Sequence, residues 1–236
     1  MKLTVLGNNG PYPSPFGACS GYLLEHEGTS LLLDCGPGVL SRLESVTDIS
    51  KLSGMILSHL HFDHVSDLFA LQYHLQFDPP AEPIKVYAPQ SPKDILSLIT
   101  SPHLNVYPIG QLNEIGTVRF SVLRVRHPVE TYAVRAVAGS STFVYTGDTN
   151  TMDGLKEFCQ DADCLLADAG LSNIDHSEQS PHLSAYLCGK LGKDAAVGQL
   201  VLTHFNPRYS VQALLEEART NLPSAIAAQL QQEIII

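Results

Sequence analysis

Three imidazoles and one carboxylate fall within six residues, His59-Leu60-His61-Phe62-Asp63-His64, straight after the run Met55-Ile56-Leu57-Ser58. No other feature constrains the fold as much. A short apolar run entered through Ser53-Gly54 reads as a buried strand, so the polar cluster sits at the C-terminal end of a strand. With 10 histidines in 236 residues, chance would produce this fixed pattern in roughly one such chain in a thousand. His59 and His61 are two apart in extended backbone and point the same way. Asp63 and His64 lie where a turn into a helix starting near Ser66 aims them at a second point. Imidazole nitrogens and carboxylate oxygens suit zinc, and the motif has no thiolate of the kind that builds purely structural zinc knots.

The same placement recurs along the chain. Thr142-Phe143-Val144-Tyr145 leads into Thr146-Gly147-Asp148, and Gln199-Leu200-Val201-Leu202-Thr203 leads into His204. Rigid strands that deliver polar groups to one rim are a usual scaffold for chemistry. Further short apolar runs predict strands at Leu3 to Leu6, Tyr22 to Leu24, Leu31 to Leu33, Lys85 to Tyr87, Val118 to Val125, Tyr132 to Val137 and Leu165 to Ala167. Helical spacing appears around Val39 to Val46, Ser66 to Leu75, Pro92 to Ile99, Gly154 to Cys159, Ser184 to Leu191 and Val211 to Arg219. Sheets covered by helices follow. No stretch is long and Pro/Gly/Ser-rich enough to be a linker, so residues 1–236 are expected to form one domain.

Composition narrows the partners. The net charge of −10 argues against a broad basic surface that tracks a phosphate backbone, so extended nucleic acid is an unexpected partner and a small molecule the expected one. Five cysteines, with no Cys-x-x-Cys pair, predict buried free thiols rather than a disulfide framework. No apolar run is long enough to span a membrane, and the start, Met1 to Gly7, lacks a signal-peptide core, which points to the cytoplasm.

The six-residue motif, together with Leu32-Leu33-Asp34-Cys35-Gly36 and with His127, Asp148 and His204 in that order, resembles the metallo-β-lactamase superfamily. That resemblance implies an α/β (α+β) fold, an αββα sandwich with two divalent metal ions at one edge of its sheets. It assigns His59, His61 and His127 to one ion, Asp63, His64 and His204 to the other, and Asp148 as the bridge. Zinc is the expected metal, with manganese as the alternative. His127-Pro128-Val129-Glu130-Thr131-Tyr132 and Leu202-Thr203-His204-Phe205-Asn206-Pro207-Arg208-Tyr209 look like the ribonuclease Z branch, which acts on phosphodiesters. In that branch Asp168 and His182 match the pair that assists the leaving group. The branch's protruding arm, which grips transfer RNA, has no room here: from His127 to Asp148 two strand-like runs are joined by Gly139-Ser140-Ser141 alone.

The implied chemistry is hydrolysis by a metal-bridging hydroxide, oriented by Asp63, on a small phosphodiester such as a cyclic nucleotide or cyclic phosphate. A transfer-RNA 3′-end endonuclease is the first alternative. A non-haem iron oxidoreductase on the same fold is the second, disfavoured because such relatives usually alter the ligand set. A catalytically dead binding module would have lost a ligand. A homodimer is an assembly the sequence allows.

Other groups read as structural. His26, His74, His103 and His176 are isolated, Asp34 reads as structural, and Gly7-Asn8-Asn9-Gly10 reads as a plain turn rather than a cleft lining. Arg208 with Tyr209 suits either a substrate phosphate or packing beneath the site.

Overall fold

The computed structural model describes residues 1–236. In chain order β1 (Lys2–Gly7), β2 (Gly21–His26), β3 (Thr29–Leu33), β4 (Gly54–Ile56), β5 (Ile84–Ala88) and β6 (Leu104–Pro108) build a first sheet. A second follows from β7 (Glu114–Ile115), β8 (Val118–Arg124), β9 (Tyr132–Ala138), β10 (Ser141–Tyr145), β11 (Cys164–Asp168), β12 (Gln199–Thr203) and β13 (Ile226–Ala227). Finally β14 (Glu233–Ile235) returns to the first sheet and pairs antiparallel with β1, so one sandwich takes in both ends of the chain.

Apolar residues alternate or run on according to what covers them. In β8 Val118 and Phe120 point inward and Arg119 and Ser121 outward, the period of a half-buried antiparallel strand. In β11 every residue is buried, because the strand has a sheet on one face and helices on the other. Leu3, Leu24, Phe143 and Leu166 belong to the layer between the sheets. Outside the first sheet pack α1 (Val39–Val46), α2 (Phe62–Val65), α3 (Asp67–Phe77) and α4 (Lys93–Ile99); outside the second pack α5 (Leu155–Cys159), α6 (Ala185–Asp194) and α7 (Val211–Arg219). The expected αββα sandwich is the observed fold. Ser184 and Ser210 cap α6 and α7 by accepting from the Leu187 and Ala213 amides, which places both helix starts where the sequence put them.

Four strands were not anticipated: β6, β7, β13 and β14. They are the four edges of the two sheets. Edge strands are often short: β7 and β13 have two residues and β14 three, too few to show a period, and β6 carries Asn105 and Pro108 among its five. The four-residue α2 was also missed, since it lies within the histidine motif itself.

All five cysteines are free and buried, and burial pushes the Cys159 and Cys164 thiols up to about 12, as expected of inert core thiols. No helix is long and apolar enough to cross a membrane. Ala138 pairs with Ser141 across the β9–β10 turn, leaving only Gly139 and Ser140 between the strands. The connection is a tight hairpin with no arm.

Candidate metal centre

Strand direction brings the polar groups together. β3 and β4 are parallel, as are β10, β11 and β12, and β8 runs with β10 because each is antiparallel to β9. Their C-terminal ends therefore share one edge, and there follow Asp34 after β3, His59 after β4, His127 after β8, Asp148 after β10, Asp168 at the end of β11 and His204 after β12. Two buried tyrosines tie the sheets together at this edge: Tyr22 Oη lies 2.7 Å from Thr203 Oγ1, and Tyr145 Oη donates to Asp34 Oδ2 at 2.9 Å.

One group comprises His59, His61, His127 and Asp148, a second Asp63, His64, Asp148 and His204, and a third, overlapping the second, Asp148, Asp168, His182 and His204; the potential ligand atoms within each lie within 4.8 Å of one another. Asp148 is common to all three. Its Oδ2 stands 3.5 Å from His59 Nε2, 3.4 Å from His64 Nε2 and 3.2 Å from His204 Nε2. His61 Nδ1 is 3.0 Å from His59 Nε2 and 3.1 Å from His127 Nε2. A tetrahedral site with metal–nitrogen bonds of about 2.0–2.1 Å has edges of roughly 3.3 Å, so these nitrogens are spaced like corners around one ion. Asp63 Oδ2 approaches His204 Nε2 at 3.2 Å and His64 Nε2 at 3.6 Å. His64 Nε2 and Asp148 Oδ1 are buried without any hydrogen-bond partner. A cation would satisfy both, and the donor set fits one.

The outward ring nitrogens settle the tautomers. His127 Nδ1 meets the Pro181 carbonyl at 3.0 Å, and a carbonyl can only accept, so Nδ1 carries the proton and Nε2 faces inward as a lone pair. His64 Nδ1 donates to Asp34 Oδ2 at 2.8 Å. The Ser58 hydroxyl donates to the same carboxylate at 2.7 Å, which leaves its oxygen to accept from His59 Nδ1 at 3.0 Å. Asp34 is thus structural as expected, but what it supports is the orientation of two imidazoles of the site. Such outer partners fix ring orientation and raise ligand basicity. Both Asp34 and His204 adopt left-handed backbone, with φ of 56° and 57°. That conformation is costly away from glycine, and here the surrounding hydrogen bonds and packing hold it.

The cluster divides electrostatically. Burial, with neighbouring imidazoles, holds His59 well below the ordinary histidine pKa, and His61 and His127 are lowered mainly by burial too. Burial would also lower His64 and His204, but Asp148 and the other nearby carboxylates outweigh it, leaving His64 well above the usual range and His204 at about 10. Asp148 is held well below the carboxylate range, because His204, His64 and His59 overcome its burial.

Beside these groups His182 Nδ1 donates to Asp168 Oδ2 at 2.9 Å. Asp168 is buried, and its oxygens accept from the Thr149 and Gly170 amides at 3.0 Å each. The cleft, of about 200 Å³, is lined by Pro11, His61, Asp63, His127, Pro128, Asp148, Pro181, His182 and His204. The reading of Gly7 to Gly10 as a plain turn is corrected here. The Gly10 amide donates to the Phe205 carbonyl, and a side chain at Gly10 would meet His204 Nε2 at 1.9 Å, so only glycine lets this loop pass over the ring. Arg208 lies outside the cleft, paired with Asp175 at 2.7 Å.

Residues 29–205 match the model of the β-lactamase superfamily domain. The chain belongs to that superfamily. It is 33% identical to the probable metallo-hydrolase YhfI of Bacillus subtilis over 93% of both chains, and the crystal structure of that protein superposes with a TM-score of 0.93, covering 99% of this chain and 98% of the other. A ribonuclease Z of Methanosarcina mazei is 26% identical over 97% of this chain and 96% of its own length. The human tRNase Z short form shares the fold at a TM-score of 0.81 and 22% identity, covering 100% and 99%. Ribonuclease Z proteins are thus among the chain's relatives, as the resemblance in the sequence implied. Its alignment with the M. mazei protein extends over 292 positions, more than this chain possesses, so that relative carries insertions absent here.

One consequence of the outer partners can be measured. Asp34→Asn keeps the shape but removes the charge that accepts from His64, Ser58 and Tyr145. Affinity for Zn2+ is expected to fall about 10- to 100-fold, the usual scale for such partners. A competition titration against a chromophoric chelator measures it; unchanged affinity would remove Asp34 from the account.

Proposed function

We propose that this protein is a dinuclear metal-dependent hydrolase of small phosphodiesters. The observation that carries the reading is the convergence of two ligand groups on one shared carboxylate, Asp148, with the Asp168–His182 pair directly beside them. His59, His61 and His127 would hold one divalent ion and Asp63, His64 and His204 the other, with zinc favoured by the donor set. Two such ions supply a hydroxide at neutral pH and a positive field for oxygens that gain charge during attack. Asp63 would also accept a hydrogen bond from the attacking water and orient it. His182, held by Asp168, would protonate the departing oxygen.

Substrate size and charge follow from the cleft. No lysine or arginine lines it, so the ions, whose charge exceeds that of the two ligand carboxylates, are the attraction for an anionic substrate. The short β9–β10 hairpin and the net charge of −10 support a small substrate over a folded RNA, which proteins hold through many cationic contacts.

The test compares kcat/KM for bis(4-nitrophenyl) phosphate and a precursor transfer RNA, at low salt and with matched metal loading, within a panel of phosphomonoesters, sulfate esters and carboxylic esters. The small diester is expected to be the better substrate by at least about tenfold, as loss of phosphate contacts implies. Efficient, site-specific cleavage of the RNA at its 3′ end would favour the endonuclease instead.

A further inference from the structure

Asn150 is fully buried two residues beyond Asp148. Its side-chain Nδ2 donates to the carbonyls of Ser180 at 2.7 Å and Ser177 at 3.0 Å, with that of Glu178 at 3.4 Å. Its Oδ1 accepts from the Thr151 amide at 2.6 Å and lies 2.8 Å from His176 Nε2. The amide orientation is forced, since the carbonyls can only accept and the Thr151 N–H can only donate. The backbone N–H of Asn150 donates to the Arg126 carbonyl at 3.1 Å, immediately before His127.

The segment so gripped runs between the end of β11 and the start of α6; a bridge between Leu171 and Ser184 closes its base and the Ser180 amide donates to the Ser177 carbonyl, while the Ser180 carbonyl takes its donor from Asn150. It also delivers two groups to the cleft: the Pro181 carbonyl, which accepts from His127 Nδ1, and His182, which donates to Asp168. The middle of the segment is fastened separately, by Asp175 to Arg208 and Tyr209. Asn150 is therefore the side-chain tie for residues 177–180, which lead into Pro181 and His182.

We propose that Asn150 is a positioning residue that sets the course of residues 177–182, and thereby presents His182 to the cleft and aims the ring of His127. It touches no reacting atom. The catalytic part of this inference rests on His182 acting as proton donor; the structural part does not.

The test uses Asn150→Ala and Asn150→Asp, the second keeping the side-chain shape while removing the donors to the carbonyls. Hydrogen exchange read at the amides of Asp175, Ser177 and Ser180, each bonded within the segment, is expected to accelerate about tenfold or more, with helix α6 unchanged, as for local opening. Turnover of an alkyl phosphodiester is expected to drop about tenfold or more and that of a nitrophenyl diester far less, the pattern of a lost general acid. Adding His182→Ala should then cost little beyond His182→Ala alone. Should the Asn150 variants fail to fold, His176→Ala removes one contact from a half-buried position and should give the same pattern at smaller amplitude. Unchanged exchange in the segment would overturn the proposal. Accelerated exchange with equal loss on both substrates would overturn the catalytic part and leave Asn150 as a tie for the segment alone.

Discussion

Asp148→Ala is expected to abolish binding of both metal ions at once and to lower turnover by roughly a thousandfold or more, the scale on which loss of a principal electrostatic group acts. The reason is geometric. Its Oδ2 is the one atom within about 3.5 Å of inward nitrogens from both groups, His59 on one side and His64 and His204 on the other. Asp148 is also the carboxylate that opposes a crowd of buried imidazoles, which is why it is held so strongly in its charged form. Asp148→Asn keeps the volume and loses the charge, and is expected to behave nearly as badly. Metal analysis alongside circular dichroism separates a lost ligand from a lost fold. An Asp148→Ala protein with full metal content and ordinary turnover would dismantle the bridging role.

The second large effect concerns the proton. With His182→Ala, turnover is expected to fall about a hundredfold or more on substrates with poor leaving groups, while a nitrophenolate, which leaves without help, is largely spared and metal content is unchanged. The pH dependence gives an independent check. Burial alone would lower the His182 pKa, but Asp168, with its hydrogen bond, and Asp148 outweigh burial and raise it. A raised pKa keeps the acid form present to higher pH, so kcat/KM declines on the basic side as that proton is lost. Asp168→Asn removes the charge that raises it, and the basic limb should move to lower pH. Equal losses on nitrophenyl and alkyl esters, or a limb that does not move, would show that His182 has another role.

Much of this site could be read from residue order, because a strand followed by a cluster of histidines has one sensible geometry. His59, Asp148 and His204 each follow an apolar run; parallel pairing brings such ends to one edge within each sheet, and the packing of the two sheets brings the edges together. The sheet interiors were legible for the same reason. The edges were not: β7, β13 and β14 are two or three residues long, too short to show a period, and β6 ends on Pro108. The outer partners of the imidazoles were legible only in part. Asp34, at the end of its own apolar run, offered a signal, whereas the Pro181 carbonyl is a backbone atom, and the Asn150 side chain acts on backbone carbonyls, whose positions no side-chain pattern encodes. Gly10 was misjudged because a glycine in a turn and a glycine pressed against His204 look alike until the partner is in place.

The proposed function requires two ions that share Asp148, and hydrolysis that depends on both. The most direct measurement is elemental analysis of the Zn2+-loaded protein with diester turnover assayed on the same samples, for the wild type, His59→Ala and His204→Ala. About two ions per chain are expected in the wild type, and in each variant preferential loss of one ion together with loss of turnover. A wild-type protein fully active with one ion, or with none, would contradict the proposed function.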